Sequence, residues 1–346
     1  MSYISSIIRD KINKTAKRLI GTGRLQKKLS ISYYNIKSLF DFSHDASNEL
    51  FDYGKIINGR KNFYNSEYYR SNNSYGIASI LREYSGFEHP INACIEHGLY
   101  WGNFYFKHEV LESGLKGVLT FGEKRIRVLE KVSDVPIKAI GPYIIYANKV
   151  MDDVELNRIK KENGKTLLVI PTHSAERVTM VYDQESLIES IKQIVKHHDF
   201  KTVIVCLYYK DILNKMQRIY EDNGFIVVTA GYEMDPNFLK RLRTFIELSD
   251  YTMSNDVGTH IGYCIALGKP HLLISQKVEY KPDAPVDLEN VITTNDVVEE
   301  KKVFRKEFEE WTDQIQQEQI EIVKKYWGTD YIRSTDEMRE LLESFR

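Results

Sequence analysis

The sequence has few cysteines, a net charge close to zero and no long apolar runs. Each of these three features argues against a class of protein. Cys94, Cys206 and Cys264 are far apart and lie in apolar runs, so we expect reduced core residues and no disulfide or metal role. A formal net charge of −1 argues against dedicated nucleic-acid binding, which needs a basic surface. No apolar run approaches the roughly 20 residues that cross a bilayer, and no signal peptide opens the chain. We expect a cytoplasmic protein.

Motifs that identify several common enzyme classes are also absent. There is no Gly-x-x-x-x-Gly-Lys-Ser/Thr loop, no Gly-x-Ser-x-Gly elbow and no Gly-x-Gly-x-x-Gly after a strand. These absences argue against a P-loop nucleotidase and a serine hydrolase, and they weaken a dehydrogenase hypothesis. The Asp-x-Asp metal motif is missing too, since Asp152 and Asp153 are adjacent, and no His, Cys and carboxylate cluster has ligand spacing. We therefore expect no metal site and no cofactor.

Strand-like and helix-like segments alternate along most of the chain, which predicts an α/β fold with a mostly parallel sheet. With 346 residues and 42% apolar content, the chain can fill two cores. A charged run at Asp152–Lys165 predicts a linker, so we divide the chain into domains 1–150 and 164–300 joined by residues 151–163. Residues 301–346 are predicted to form C-terminal helices, with one long helix over Val303–Tyr326 and another over Ser334–Ser344. We also expect one helix over Asp211–Asn223 and an exposed loop over Lys277–Asn295.

The stretch Leu248–Gln276 predicts a β-loop-α-turn-β unit. A buried strand ends at Ser254, a helix follows from Thr259, and Gly268 and Pro270 end that helix. Either Thr259 or Asp256 is a suitable N-cap. Backbone N–H groups at such a helix start, with Gly258 beside them, suit a phosphate. The alternative is an ordinary turn of an α/β domain.

A second predicted site follows the short strand Asn92–Ile95. Glu96 and His97 lie at its carboxyl end, where open α/β sheets place ligands, and either can act as a general base for a sugar hydroxyl. Neighbouring side chains on a strand point in opposite directions, so one is expected to reach the substrate while the other supports the loop. We favour His97, because Gly98 leaves room beside it and imidazole titrates near neutral pH. The alternative is a structural role for both.

The loop after the strand Leu167–Pro171 is a third candidate. Ser174 offers a hydroxyl and Arg177 a fork of charged donors, which is suitable chemistry for a phosphate. The alternative is a surface ion pair between Arg177 and Glu176.

The stretch Leu248–Gln276 resembles the donor-binding segment in the second domain of GT-B glycosyltransferases. The runs IEHGLYWG (Ile95–Gly102), GPYIIYA (Gly141–Ala147) and VIPTHSAERV (Val169–Val178) look like those of bacterial transferases that assemble surface polysaccharide. The resemblance implies two Rossmann-like domains facing a central cleft, with the C-terminal helices crossing back to the first. It also implies donor-binding residues, which are His173, Ser174, Arg177, Ser254, Asn255, Gly258, Thr259, His260 and Tyr263, and acceptor-binding residues, which are Tyr100, Trp101 and Tyr143.

One position departs from the pattern of those enzymes. Many of them carry a ribose-binding Glu five residues before the Gly of the Gly-x-Pro turn, and here that position is Tyr263. Ribose must therefore be recognised in another way.

The resemblance predicts a metal-independent glycosyltransferase that moves a sugar from a nucleotide-sugar donor, itself a substrate, to a capsule, lipopolysaccharide or lipid-linked glycan. The alternatives are a sugar-nucleotide epimerase or hydrolase of the same fold, and a non-catalytic subunit that binds nucleotide sugar. The donor nucleotide, the sugar, the acceptor, the stereochemistry and the oligomeric state are left open.

Residues 1–28 are basic and have apolar residues near helical spacing. This pattern is typical of an amphipathic helix on an anionic inner membrane surface, and would make the enzyme peripheral to the membrane. The alternative is a solvated first helix that covers a sheet edge.

Overall fold

The computed structural model describes residues 48–59, 65–110, 113–175, 178–282 and 295–346, together with Leu29 and Ser32. The basic segment 1–28 and Arg177 lie outside the described residues. Two parallel sheets organise the rest, and we call residues 65–147 the first lobe and residues 166–282 the second lobe.

The first lobe contains a three-stranded parallel sheet in the order β1-β2-β3. Its strands are β1 Cys94–Ile95, β2 Val118–Thr120 and β3 Ile137–Ala139. Its helices are α2 Ile77–Ser85, α3 Lys107–Val110 and α4 Glu123–Leu129, with 3-10 turns at Arg70–Gly76 and Tyr143–Tyr146; helix α1, Tyr53–Asn58, precedes the lobe. The expected strands after Asn92, Gly117 and Ile137 are confirmed.

The second lobe contains a five-stranded parallel sheet in the order β7-β6-β4-β8-β9. Its strands are β4 Thr166–Ile170, β6 Thr202–Cys206, β7 Ile226–Val228, β8 Tyr251–Ser254 and β9 His271–Leu273. Numbered within the lobe, this order is 3-2-1-4-5, which is that of a Rossmann-type sheet, and the direction of winding reverses between β4 and β8. The predicted α/β class with parallel strands is therefore confirmed.

Six helices connect or flank these strands, and the charged linker run forms the first of them. They are α5 Asp153–Asn163, α6 Gln184–His198, α7 Tyr209–Leu213, α8 Gln217–Asp222, α9 Phe238–Leu248 and α10 Thr259–Ala266. Gly268 follows α10 with φ +72°, the left-handed conformation that the Gly-Lys-Pro stop predicts.

Strand β4 is apolar at successive positions because both of its faces are covered. Leu168 and Ile170 belong to an apolar cluster that also contains Leu119 and Phe121 of the first lobe. Leu167 and Val169 face a separate cluster on the opposite side of the sheet, against helix α6. The inner faces of the two lobes therefore share one continuous hydrophobic core.

Three C-terminal helices extend this core to the first lobe: α11 Asn295–Phe308, α12 Gln317–Trp327 and α13 Thr335–Ser344. Helix α12 packs against α10 of the second lobe and α4 of the first, while α13 packs on α2. A capping box between Ser334 and Glu337 starts α13. At the end of α12, a Cβ on Gly328 would lie 2.4 Å from the carbonyl oxygen of Phe121, so this close backbone approach requires glycine.

Three secondary-structure predictions are wrong. The helix expected over Val303–Tyr326 is two helices, because residue Trp311 between them stacks on Tyr251, with ring centroids 3.9 Å apart. The helix expected over Asp211–Asn223 is also two, interrupted by Lys215 at φ +65°. Part of the loop expected at Lys277–Asn295 is a strand.

That strand, β10 Glu279–Pro282, pairs antiparallel with β5 Val178–Val181. We call this two-stranded element the ribbon. In the portion of the chain that is described, no helix combines the length and apolar character needed to span a membrane.

Candidate functional site

A cavity of about 380 Å³ lies between the two lobes. The second lobe contributes the loops that follow β4 and β8, which are the strands where the winding reverses. In open α/β sheets, ligands bind at this crevice outside the carboxyl ends of the strands. The first lobe closes the other side with the loop after β1, helix α11 adds Lys301, and the ribbon adds Met180 and Tyr280. The position of the cavity makes it the best candidate for a binding site.

One wall of the cavity is the start of helix α10. Its N-cap is Gly258, and no side chain caps the helix. Neither Asp256 nor Thr259 therefore acts as the predicted cap. The Thr259 hydroxyl instead accepts a hydrogen bond from the Leu99 N–H at 3.1 Å, and so joins the second lobe to the first. The first N–H groups of any helix lack intrahelical partners, so this wall offers donors to an anion.

His260 stands on the first turn of α10 and lines the cavity. Its Nε2 atom is enclosed and has no hydrogen-bond partner. Burial, with a smaller contribution from His173, lowers the pKa of His260 to about 3, so the ring is neutral at pH 7. The predicted donor residues His173 and His260 thus reach the cavity from two different elements, the loop after β4 and the first turn of α10.

His271 supports this wall from behind. It is fully buried, with Nδ1 2.8 Å from Thr252 Oγ1 and Nε2 2.9 Å from Ser254 Oγ. The Thr252 hydroxyl also donates to the Pro270 carbonyl at 2.9 Å, and the Ser254 hydroxyl donates to the Asp256 carbonyl at 3.1 Å. Burial holds the pKa of His271 well below its usual value. Ser254 is thereby occupied in the core, where it is fully buried and does not line the cavity.

Asn255 and Ser174, two further predicted donor residues, also lie behind the cavity wall. Asn255 accepts from the Thr172 N–H at 2.6 Å and donates to Gln276 at 3.0 Å, which ties the loops after β4 and β8 together. Ser174 is fully buried and its Oγ accepts from the Met180 N–H at 3.0 Å. The structure places these predicted donor residues behind the wall, where their side chains shape the loops that bear the lining residues.

Glu96 and His97 point in opposite directions, as expected for neighbours at a strand end. His97 lines the cavity, and its Nδ1 atom is 3.1 Å from the Tyr100 hydroxyl. Glu96 is 1% exposed and forms an ion pair with the fully buried Arg125, Oε1 to Nη2 2.6 Å. The Thr120 hydroxyl donates to the same carboxylate at 2.5 Å. This placement argues against the predicted catalytic role of Glu96, since its carboxylate is buried and already bonded to Arg125 and Thr120.

The three predicted acceptor-binding residues occupy different environments. Trp101 lines the cavity and contacts Phe304 of helix α11 edge to face. Tyr100 does not line the cavity, but its hydroxyl lies 3.1 Å from Nδ1 of His97, which does. Tyr143 was expected to flank the cleft but is fully buried, because its ring stacks on Phe121 at 4.3 Å within the shared core. Its hydroxyl has no hydrogen-bond partner, and burial raises its pKa well above the usual value.

Tyr263, at the position where many GT-B enzymes have Glu, lines the cavity with only 4% of its surface exposed. Burial raises its pKa strongly, so the phenol is neutral. At this position the cavity is therefore lined by a neutral aromatic side chain and not by the carboxylate that many GT-B enzymes have.

Several cavity residues were not predicted from the sequence. The end near β6 and β7 is apolar and aromatic, with Cys206, Leu207, Tyr208, Ala230, Phe238, Leu239 and Leu242. At the other end Lys301 pairs with Asp256, Nζ to Oδ2 3.1 Å. The residues of the apolar end could have been found in the sequence, because each lies just after a buried strand or on the helix that follows. Lys301 could not, because its helix carries many other charged residues.

Neither known protein-family models nor curated proteins produce a match to this chain. Over the described ranges, no group of three or more His, Cys, Asp and Glu side chains is placed to hold a metal ion. The chemistry that the site can perform therefore has to be argued from its own residues.

Proposed function

We propose that the chain is a glycosyltransferase that moves a sugar from a nucleotide-sugar donor to a bacterial surface polysaccharide or lipid-linked glycan. The observation that carries the proposal is the position of the cavity, between the lobes and at the winding reversal of the second sheet. Two reactants have to meet in such a transfer. A cavity with a phosphate-compatible helix start on one wall and an imidazole of the other lobe on the opposite wall suits that requirement.

In this proposal the second lobe binds the donor. The start of α10, with Gly258, receives the phosphate groups, and the apolar end near Tyr208 and Phe238 receives the base. Stabilisation of the leaving phosphate comes from helix N–H groups and basic side chains, which are the means open to a metal-independent transferase. The GT-B arrangement of two facing domains belongs to the same proposal.

The first lobe binds the acceptor and supplies the base. His97 lines the cavity within reach of Tyr100, and a neutral imidazole can take a proton from a sugar hydroxyl. Trp101 offers an aromatic face against which a sugar ring can pack. A cytoplasmic location, peripheral to the inner membrane surface, completes the proposal.

A panel of UDP-, GDP- and CMP-sugars, each incubated with and without acceptor glycans, tests the proposal. Acceptor-dependent release of the nucleotide together with a lengthened glycan is the expected result. Conversion without acceptor would identify an epimerase or hydrolase, and binding without turnover a non-catalytic subunit. If no nucleotide sugar is bound or converted, the proposed function is wrong.

A further inference from the structure

The charged residues of the cavity form a single pair. Among the residues that the structure describes there, Lys301 is the one Lys or Arg side chain on the wall and Asp256 the one carboxylate. The Lys301 ammonium lies 3.1 Å and 3.3 Å from the two carboxylate oxygens, and the side chains are 19% and 11% exposed. Within the described part of the wall there is therefore one Lys or Arg cation, and that cation already has an anionic partner.

This pair lies beside the proposed phosphate position. Asp256 stands two residues before Gly258, the N-cap of helix α10, and both residues line the cavity. A phosphate at the start of α10 would approach the same ammonium that Asp256 now contacts. Phosphate and carboxylate would then compete for one lysine, because an ammonium is a compact charge whose hydrogen bonds move readily between acceptors.

Asp256 has a second partner that remains after such an exchange. Its Oδ1 atom accepts a hydrogen bond from the Val257 N–H at 2.8 Å. The carboxylate would therefore keep one donor when Lys301 turns to a phosphate. Breaking the ion pair costs less free energy when the carboxylate keeps a backbone hydrogen bond than when it is left without partners.

The position of Lys301 is fixed through the first lobe. Its neighbour Glu300 accepts from the Gly102 N–H at 2.9 Å and forms an ion pair with Lys124. Helix α11 thus places Lys301 beside Asp256 of the second lobe, while Glu300 is bonded to the first lobe. A ligand phosphate on Lys301 would touch an element that both lobes position.

We propose that Lys301 binds a phosphate of a nucleoside diphosphate group, and that Asp256 competes with this phosphate for the lysine. The inference rests on the proposed function, and it extends that function by assigning the phosphate-binding cation and a residue that weakens binding. Asp256 thereby contributes to selectivity, because a ligand that brings no phosphate to Lys301 leaves the ion pair in place.

Calorimetry with UDP and GDP, each compared with uridine and guanosine, tests this pairing in the full chain. For Lys301→Ala we expect the affinity for the diphosphate to fall about ten- to a hundredfold while nucleoside affinity is unchanged. For Asp256→Asn, which keeps an acceptor for Val257, we expect the diphosphate to bind about two- to fivefold more tightly. Lys302→Ala is the matched control, because Lys302 is 59% exposed on the same helix and pairs with Glu299.

The outcomes separate this inference from the proposed function. If a diphosphate binds and Lys301→Ala leaves its affinity unchanged, or Lys302→Ala weakens it equally, Lys301 is not the phosphate ligand although the transferase proposal stands. If Asp256→Asn weakens diphosphate binding, Asp256 orients Lys301 and does not compete with the ligand. If the wild-type protein binds none of the nucleotides and transfers no sugar, the proposed function and this inference are both wrong.

Discussion

The Leu99 N–H donates a hydrogen bond to Thr259 Oγ1 at 3.1 Å, across 160 positions of sequence. This bond joins the loop after β1 to the first residue of α10. Because His97 lies two residues before Leu99, the same bond fixes the distance between the imidazole and the start of the helix. The candidate base and the candidate phosphate position are therefore held together by one contact between the lobes.

His97→Ala should lower turnover by about two to four orders of magnitude while the donor still binds, because the general base is lost and the second lobe is unchanged. Single-turnover kinetics and calorimetry with the donor measure the two effects separately. His89→Ala is the matched control, since His89 is exposed and packs on Phe87. Turnover at the parent rate in His97→Ala would show that the base lies elsewhere.

Glu96→Gln should act on stability instead. It leaves Arg125 buried without its counter-charge, and loss of one partner of a buried pair costs about 3–5 kcal/mol of unfolding free energy. Urea unfolding measures this loss. A fully stable Glu96→Gln protein with impaired turnover would instead return Glu96 to the catalytic assignment that its position argues against.

Gly258→Val should abolish tight nucleotide binding in a folded protein. A Cβ on Gly258 would lie 2.8 Å from Cε1 of His260, so the valine side chain would displace the imidazole and fill the space beside the start of α10. The backbone of Gly258, at φ −150°, is extended and suits valine, so we expect the fold to persist. Calorimetry of nucleotide binding, with far-UV circular dichroism as the control for folding, checks this. Unchanged affinity in a folded variant would place the phosphate somewhere else.

Transfer activity should survive excess EDTA. The proposed mechanism stabilises the leaving phosphate with helix N–H groups and Lys301, so no step depends on a divalent ion. The measurement compares initial rates before and after chelation, with Mg²⁺ and Mn²⁺ added back. Complete loss that either ion restores would refute the metal-independent mechanism and direct attention to Asp152 and Asp153.

Glu67→Gln should change how stability depends on pH. Burial raises the pKa of Glu67 to about 7, although Arg82 and the Ile91 N–H favour the charged form. A carboxyl whose folded pKa lies above its unfolded value stabilises the fold fully at low pH, and this contribution is lost as pH rises toward 7. The glutamine does not titrate, so Glu67→Gln lacks this loss. Between pH 4.5 and 8 the unfolding free energy of the variant should therefore rise relative to that of wild type by up to about 3 kcal/mol.

Urea unfolding at a series of pH values measures this gain. Glu88→Gln is the control, because Glu88 is an exposed carboxyl close by in the sequence. Parallel stability curves for Glu67→Gln and wild type would show that Glu67 titrates at its ordinary pKa in the folded protein.

The strands of both sheets were predictable because each is a short apolar run bounded by glycine, proline or polar residues. The ribbon was missed since Thr179 and Lys281, which face each other in it, are residues that also suit a loop. The break between α11 and α12 was missed because Trp311 fits the apolar face of a continuous helix. Only the folded chain reveals that its ring lies between Tyr251 and His198.

The candidate site was predictable in position but only partly in composition. Residues just after strands were predicted to lie near a ligand, and His97, His173, Gly258, Thr259 and His260 line one cavity. Sequence position does not tell which of two adjacent polar side chains turns inward, so Ser174 and Asn255 were assigned to the ligand although they connect loops. Lys301 could not be found because its role depends on where helix α11 lies relative to the second lobe.

The C-terminal residues complete the core of the first lobe. Asn92 donates to the Phe345 carbonyl across 253 positions, and a Cβ on Gly117 would lie 2.2 Å from the Phe345 ring. During synthesis the sheet of the first lobe therefore stays partly uncovered until helix α13 has left the ribosome, although nascent domains generally fold in order from the N-terminus. Completion of the first lobe thus depends on helix α13, and removal of only this helix would expose a sheet that lies much earlier in the sequence.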